Sequence, residues 1–216
     1  MTADLLTTMR LNGLPRLAAP FLPGLLWRRR DGARTLHLTF DDGPDDGTPA
    51  LLDLLDRHGA SATFFLVGER ARRRPELVRA LLAAGHTVGQ HTDTHLDPWR
   101  TSASAAVAEM ERATETLEDI TGAAIRWMRP PYGHVTPAMH AWCRARGQRI
   151  AMWDAMPGDF LSSATPQTVA RRILRLTRPG SVLVLHEGGH ARRVTPPALT
   201  RALPMLLADG YRFAAL

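Results

Sequence analysis

From residue 35 onward the chain alternates short apolar runs with amphipathic stretches, each bounded by glycine, proline or a capping residue, and few folds accommodate that rhythm. Strands separated by helices pair in parallel, because a connection long enough to hold a helix carries the chain back to the same end of the sheet. The pattern predicts strands at Thr35 to Phe40, Ala62 to Leu66, Thr87 to Gly89, Ile125 to Met128, Arg149 to Trp153, Ser181 to Leu185 and Tyr211 to Phe213. Between them it predicts helices from Pro49 to Arg57, Pro75 to Ala84, Pro137 to Arg146, Pro166 to Thr177 and Pro197 to Ala208. The longest helix, over 103–120, is capped by Ser102, carries Val107, Met110, Ala113, Thr114 and Leu117 at helical spacing, and ends near Gly122. Six to eight such units in about 180 residues suit an α/β fold of the small or incomplete βα-barrel kind better than an open doubly wound sheet.

A chain of 216 residues, 44% of them hydrophobic, supports one sizeable core, and no composition break calls for a second. We therefore expect one domain over 34–216, preceded by an arm over 1–33. The arm is apolar but interrupted by Arg10, Pro15, Arg16, Pro20 and Pro23, so no run reaches the length of a membrane span. Its arginines lie within and after the apolar stretch, unlike a cleavable signal. An arm folded over the barrel is the expectation, with peripheral contact at a membrane surface as the alternative. Absence of a clear signal favours the cytoplasm, and the cell envelope would require another export route. The formal charge of +6 comes from 27 basic residues that are all arginine and are spread along the chain, so nucleic acid is not expected as a partner. Cys143, the single cysteine, excludes an intramolecular disulfide and reads as a buried apolar residue.

The distinctive polar clusters all follow predicted strands: Asp41-Asp42, His91 to His95, Arg129 to Gly133, Asp154 with Asp159, and His186. In a parallel barrel the ends of all strands share one rim, where catalytic groups collect. Adjacent carboxylates repel unless a cation lies close, although Asp-Asp-Gly-Pro would also serve as a plain turn. His91 and His95 stand four apart, a spacing that one helical turn would place on a common face and that many zinc sites use. Two histidines and one aspartate leave coordination positions for water and substrate. His186 ends the most apolar strand and could present one ring nitrogen to the rim, or be a satisfied core histidine. Arg129 precedes a rigid Pro-Pro-Tyr-Gly turn that would fix its guanidinium against a carboxylate. The remaining histidines, His134 among them, read as surface or packing residues.

These motifs together resemble the polysaccharide deacetylases of carbohydrate esterase family 4, the NodB-homology domain. Thr39-Phe40-Asp41-Asp42-Gly43-Pro44, His91-Thr92-Asp93-Thr94-His95, Arg129-Pro130-Pro131-Tyr132-Gly133 and Val184-Leu185-His186 match four of the family's motifs in order and spacing, and the resemblance covers about residues 35 to 213. It implies a distorted barrel of about seven strands and removal of N-acetyl, or O-acetyl, groups from a carbohydrate such as a chitooligosaccharide or peptidoglycan N-acetylglucosamine. It further implies that Asp42, His91 and His95 bind a divalent metal, zinc first, with cobalt, manganese or nickel as alternatives. Asp41 would be the general base, held by Arg129; the backbone N–H of Tyr132 would meet the oxyanion; His186 would be the general acid. Trp153, Phe160 and Val184 would line the substrate pocket. One motif departs from the family pattern. Where an aspartate normally orients the catalytic histidine this chain has Met156, followed by Asp159 and Phe160. Asp154, two residues earlier and on the same face of an extended strand, is the expected substitute. A small-molecule amide hydrolase on the same fold and a non-catalytic glycan-binding module are the competing readings.

Overall fold

A computed structural model describes residue 12, residues 24–29 and residues 34–216. Its central strand, β1 (Thr35–Gly43), pairs in parallel with β2 (Ala62–Leu66) and with β6 (Val182–His186), while β7 (Arg212–Phe213) pairs with Thr35 and Leu36 at its start. Beyond β2 come β3 (Thr87–Gln90), β4 (Trp127–Met128) and β5 (Arg149–Ile150), each parallel to the one before. The order β5-β4-β3-β2-β1-β6, with β7 on β1, makes a seven-stranded sheet. It curls into a distorted half-barrel wrapped by α1 (Thr48–Arg57), α2 (Gly68–Arg73), α3 (Pro75–Ala83), α4 (Ala103–Thr121), α5 (Pro137–Ala145), α6 (Pro166–Leu176) and α7 (Ala191–Ala208).

The two-residue period of a strand sorts β1 into two roles. Leu36, Leu38 and Phe40 pack outward in the main core with Leu51 and Leu55 of α1 and Leu199 and Leu203 of α7. Each such side chain contributes about 1.5–3 kcal/mol by leaving water. The intervening His37, Thr39 and Asp41 are equally buried but polar. They point into the barrel, where Arg129 donates to both Thr39 and Asp41. Strand β6 repeats the pattern, with Leu183 and Leu185 outward in the main core and Val182 and Val184 in a second cluster with Met128, Met152 and Trp153.

Several elements differ from the sequence reading, each for a local reason. Strand β1 runs past Phe40 because its pairing continues, Asp41 standing beside both Phe65 and His186, with a bulge between Asp41 and Gly43. Helix α2 was not predicted; its short, charged sequence buries only Gly68 and Ala71 and carries no apolar stripe. Helix α7 begins at Ala191 rather than Pro197 and keeps Pro196, Pro197 and Pro204 inside it. Prolines forfeit backbone donors, and the buried face of Val194, Ala198, Leu199, Ala202, Leu203 and Leu206 holds the helix together against that loss. Ser102 and Gly122 cap α4 as expected, Ser102 accepting from the Ala105 N–H and Gly122 adopting φ +66°.

Among the described residues no ladder joins β5 to β6. The gap is spanned by isolated bridges: Leu26 with Ala151, Arg28 with Ser181, and Ala155 with Leu183. Leu26 donates to the Ile150 carbonyl and accepts from the Met152 N–H, at 2.9 and 2.7 Å. The Arg29 N–H donates to the Gly180 carbonyl at 2.9 Å. A Cβ on Gly180 would stand 1.7 Å from the Arg29 carbonyl oxygen, so only glycine admits this approach. Residues 24–29, expected in an arm outside the domain, are thus hydrogen-bonded into the barrel wall. Asn12 exchanges a pair of hydrogen bonds with the backbone of Met156. The rest of the expected arm lies outside the described residues. Among the described residues no helix is long and apolar enough to cross a membrane.

Candidate metal and acid–base site

The ends of β1, β3, β4 and β6 and the loop after β5 converge on one rim, as the parallel topology requires. Asp42 sits in the β1 bulge at φ +70°. A regular strand would turn its side chain to the face opposite Asp41; the bulge re-aims it, so both carboxylates reach the same site. His91 and His95 are not on a helix, contrary to the spacing argument. They belong to a loop after β3, which Thr92 and His95 fold back with φ +61° each. Tyr132, at φ +58°, completes a set of four non-glycine residues held at positive φ among the described residues, all of them here. Strained backbone of this kind persists only where the surroundings enforce it. The enforcement around the histidine loop is visible: Asp93 is clamped by Arg72 and Arg112, and Glu109 accepts from the Thr94 N–H and hydroxyl at 2.7 and 2.9 Å.

Asp42 Oδ1 lies 3.2 Å from His95 Nε2 and 3.7 Å from His91 Nε2, and one ligand atom from each of the three residues falls within 4.8 Å of the others. The donor set fits a divalent metal. His91 Nδ1 donates to the Arg129 carbonyl at 2.6 Å, which fixes the tautomer whose Nε2 lone pair faces Asp42 and His95. Burial pushes the His91 imidazole below its ordinary value and so toward the neutral form that ligates. Burial works against charge on Asp42 too, but the His95 hydrogen bond and the fields of His91, His186 and His95 override it and hold the carboxyl well below the usual carboxylate range.

Beside the triad stand two supported side chains. Asp41, buried, accepts from Arg129 at 2.7 Å. The guanidinium is itself fully buried and committed to four acceptors: Asp41, Thr39 Oγ1 at 2.7 Å, and the Ala151 and Met152 carbonyls at 3.1 and 2.9 Å. It also lies over the Phe65 ring at 4.2 Å. His186, next to Asp41 across the β1–β6 pairing, has its Nδ1 2.9 Å from Asp159 Oδ1. Burial alone would lower this imidazole, but the charge and hydrogen bond of Asp159, aided by Asp41 and Asp42, raise it to about 9.

Asp159, not Asp154, is therefore the partner of His186. The expectation for Asp154 assumed that the strand continued to Met156, whereas β5 ends at Ile150 and the face alternation ends with it. Asp154 instead accepts from Arg178 at 2.9 Å, Ser181 at 3.2 Å and the Val182 N–H at 3.0 Å, tying down the entrance of β6 at the end opposite His186. The turn at Pro157-Gly158, with Gly158 at φ +75°, returns the chain to the rim. There the fully buried Asp159 also accepts from the His186 N–H and from Thr195, both at 2.7 Å. Sequence reasoning missed Asp159 and Thr195 as a unit; the one available signal was an aspartate placed directly after a Pro-Gly turn. Of the expected pocket residues, Tyr132 and Phe160 are exposed at the rim, Phe160 with its ring 4.9 Å from that of His186. Trp153 and Val184 are buried, Val184 one pleat below His186 and Trp153 against Gly133.

A distorted parallel barrel with a two-histidine, one-aspartate cluster and a flanking carboxylate and imidazole is the architecture of a metal-assisted hydrolase. The chain belongs to the polysaccharide deacetylase family, whose model matches residues 28–151. It is 31% identical over 199 residues to a peptidoglycan-N-acetylglucosamine deacetylase of Bacillus cereus, covering 88% of this chain and 90% of the relative. It is 32% identical over 213 residues to a chitooligosaccharide deacetylase of Bradyrhizobium sp., covering 91% and 97%. Among solved structures, the Bc1960 peptidoglycan N-acetylglucosamine deacetylase, crystallised with a 4-naphthalen-1-yl-N-oxidanyl-benzamide, superposes with a TM-score of 0.85 at 31% identity over 89% of this chain and 91% of that one.

Proposed function

We propose that this protein hydrolyses the N-acetyl group of N-acetylglucosamine residues in a glycan of the peptidoglycan or chitooligosaccharide type, with zinc as its metal. The observation that carries the reading is the metal triad flanked on one side by Asp41 locked to Arg129 and on the other by His186 locked to Asp159. When bound to Asp42, His91 and His95, a divalent metal supplies Lewis acidity at the acetyl carbonyl and lowers the pKa of water. Asp41 takes the proton from the attacking water, and Arg129, donating to it at 2.7 Å, holds that carboxylate in place. The backbone N–H of Tyr132 meets the oxyanion. His186, with Nδ1 engaged by Asp159, delivers the proton on Nε2 to the departing amine. An imidazole raised to about 9 stays charged at neutral pH, the protonated form that a general acid needs. Val184 and Trp153 form the floor that the acetyl methyl meets. Exposed Tyr132 and Phe160 on either side leave the site open, which suits a polymer better than a small enclosed amide.

The test is acetate release from N-acetylglucosamine oligomers, peptidoglycan fragments, acetylated xylan and small amides, using chelated and zinc-reloaded protein. Acetate from the first two substrates only after metal is restored is the expected result. Turnover of small amides alone, or glycan binding without turnover at saturating metal, would overturn the proposal.

A further inference from the structure

Six large hydrophobic side chains are exposed among the described residues. Leu82, Met205 and Leu207 are isolated aliphatics on α3 and α7, ordinary for a protein surface. The other three, Trp99, Tyr132 and Phe160, are aromatic, and each is tied to the rim. From the metal-ligand candidate His95 a line of rings runs outward: His95 to Tyr132 with centroids 4.9 Å apart, Tyr132 to His134 at 5.7 Å, and His134 to Trp99 at 3.7 Å. The last two rings are stacked face to face within 1° of parallel, yet Trp99 remains 65% exposed.

Trp99 is also held rigidly. Its Nε1–H donates to the Val135 carbonyl at 3.1 Å, and its backbone N–H donates to Asp97 Oδ1 at 3.0 Å. The same Asp97 oxygen lies 2.7 Å from His134 Nδ1, so one carboxylate holds the His134 ring and the Trp99 backbone together. An exposed indole that merely covered core would not need both a hydrogen bond at its edge and a ring stacked on its face. An indole fixed in advance offers a flat apolar face at little further loss of side-chain freedom on binding. Such a face suits the C–H face of a pyranose ring, whose hydrogens meet the electron-rich π surface while its hydroxyls stay in water. A protein partner would need a contiguous patch on the order of hundreds of Å² on this side, whereas the exposed large hydrophobics of this ridge, among the described residues, are Trp99 and Tyr132.

We propose that the Trp99–His134 stack is a glycan subsite that holds a sugar neighbouring the residue under attack, and so makes the protein prefer longer oligomers. This rests on the deacetylase reading above. The probes are N-acetylglucosamine oligomers from dimer to hexamer, with the zinc-loaded protein. Trp99→Ala is expected to raise KM for the tetramer about tenfold, to raise it less for the dimer, and to leave kcat within about twofold. Trp99→Phe, which keeps a flat face, should recover most of the loss. As a readout independent of turnover, titrating the tetramer into metal-free wild-type protein should shift the Trp99 indole N–H resonance, identified among the five tryptophans by its loss in Trp99→Phe. This second measurement decides the matter if Trp99→Ala fails to fold. If the wild type releases acetate but Trp99→Ala is unchanged, or is impaired equally at every length, the subsite is wrong and the deacetylase reading stands. If the wild type releases none from any oligomer, the deacetylase reading itself fails.

Discussion

From β4 through β3, β2 and β1 to β6, neighbouring strands are joined by parallel pairing, whereas from β5 to β6 the wall is held by isolated bridges and the residues at its rim come from a loop. The first arc carries Asp41, Asp42, the histidine loop, Arg129 and His186; the second carries Asp154, Asp159 and Phe160. On the paired arc strand register places functional groups side by side, as it does Asp41 and His186. On the seam the described residues form only isolated bridges, and Asp159 is positioned by accepting from the His186 backbone, the His186 ring and Thr195. A ladder sets position collectively; a loop residue needs its own hydrogen bonds.

The largest effect is expected on the paired arc. His91→Ala or Asp42→Ala should abolish stoichiometric metal and lower activity by more than about 10³-fold with the circular dichroism spectrum preserved; activity retained by a metal-free variant would refute the triad. Arg129→Met should be next. It leaves the Asp41 carboxylate buried without its cation, and urea unfolding should show a loss of about 3–5 kcal/mol along with most of the activity.

The seam gives the sharpest contrast. Asp159→Asn should reduce kcat about 10²–10⁴-fold. In the wild type the acid form of His186 is lost as pH rises through about 9, so kcat should fall there, and in Asp159→Asn that limb should move to lower pH. The sign for stability follows from a folded value raised above the ordinary 6.5: the His186–Asp159 pair stabilises fully below 6.5 and ceases to do so by about 9, which melting curves across that window can follow. Asp154→Asn should instead destabilise by about 1–3 kcal/mol while kcat stays within a few-fold; the opposite outcome for the two aspartates would reverse their assignment. Gly180→Ala has the smallest expected effect on activity. Forcing a Cβ against the Arg29 carbonyl should cost about 1–3 kcal/mol at the seam and leave metal stoichiometry unchanged, as thermal unfolding and metal analysis would show.

Much of this was legible beforehand because apolar periodicity is local. Strand β2 matches its predicted bounds, α4 begins and ends at its expected caps, and the alternation of strands with helices implied the parallel barrel whose shared rim gathers the polar clusters. The motifs of the paired arc followed from their place at strand ends. The four-residue spacing of His91 and His95 was informative for a reason other than the one given, since positive-φ turns bring them together and a helix does not.

The sequence by itself determined which residue types stand at the ends of which strands, because pattern and period are written in consecutive residues. Only the tertiary structure decided that Asp159 supports His186 while Asp154 ties down the entrance of β6, that residues 24–29 close the barrel, and that Trp99 stacks on His134 from 35 positions away. Each of those depends on where a chain goes after it leaves a regular strand, and there the direction is set by long-range hydrogen bonds and packing that no local spacing encodes.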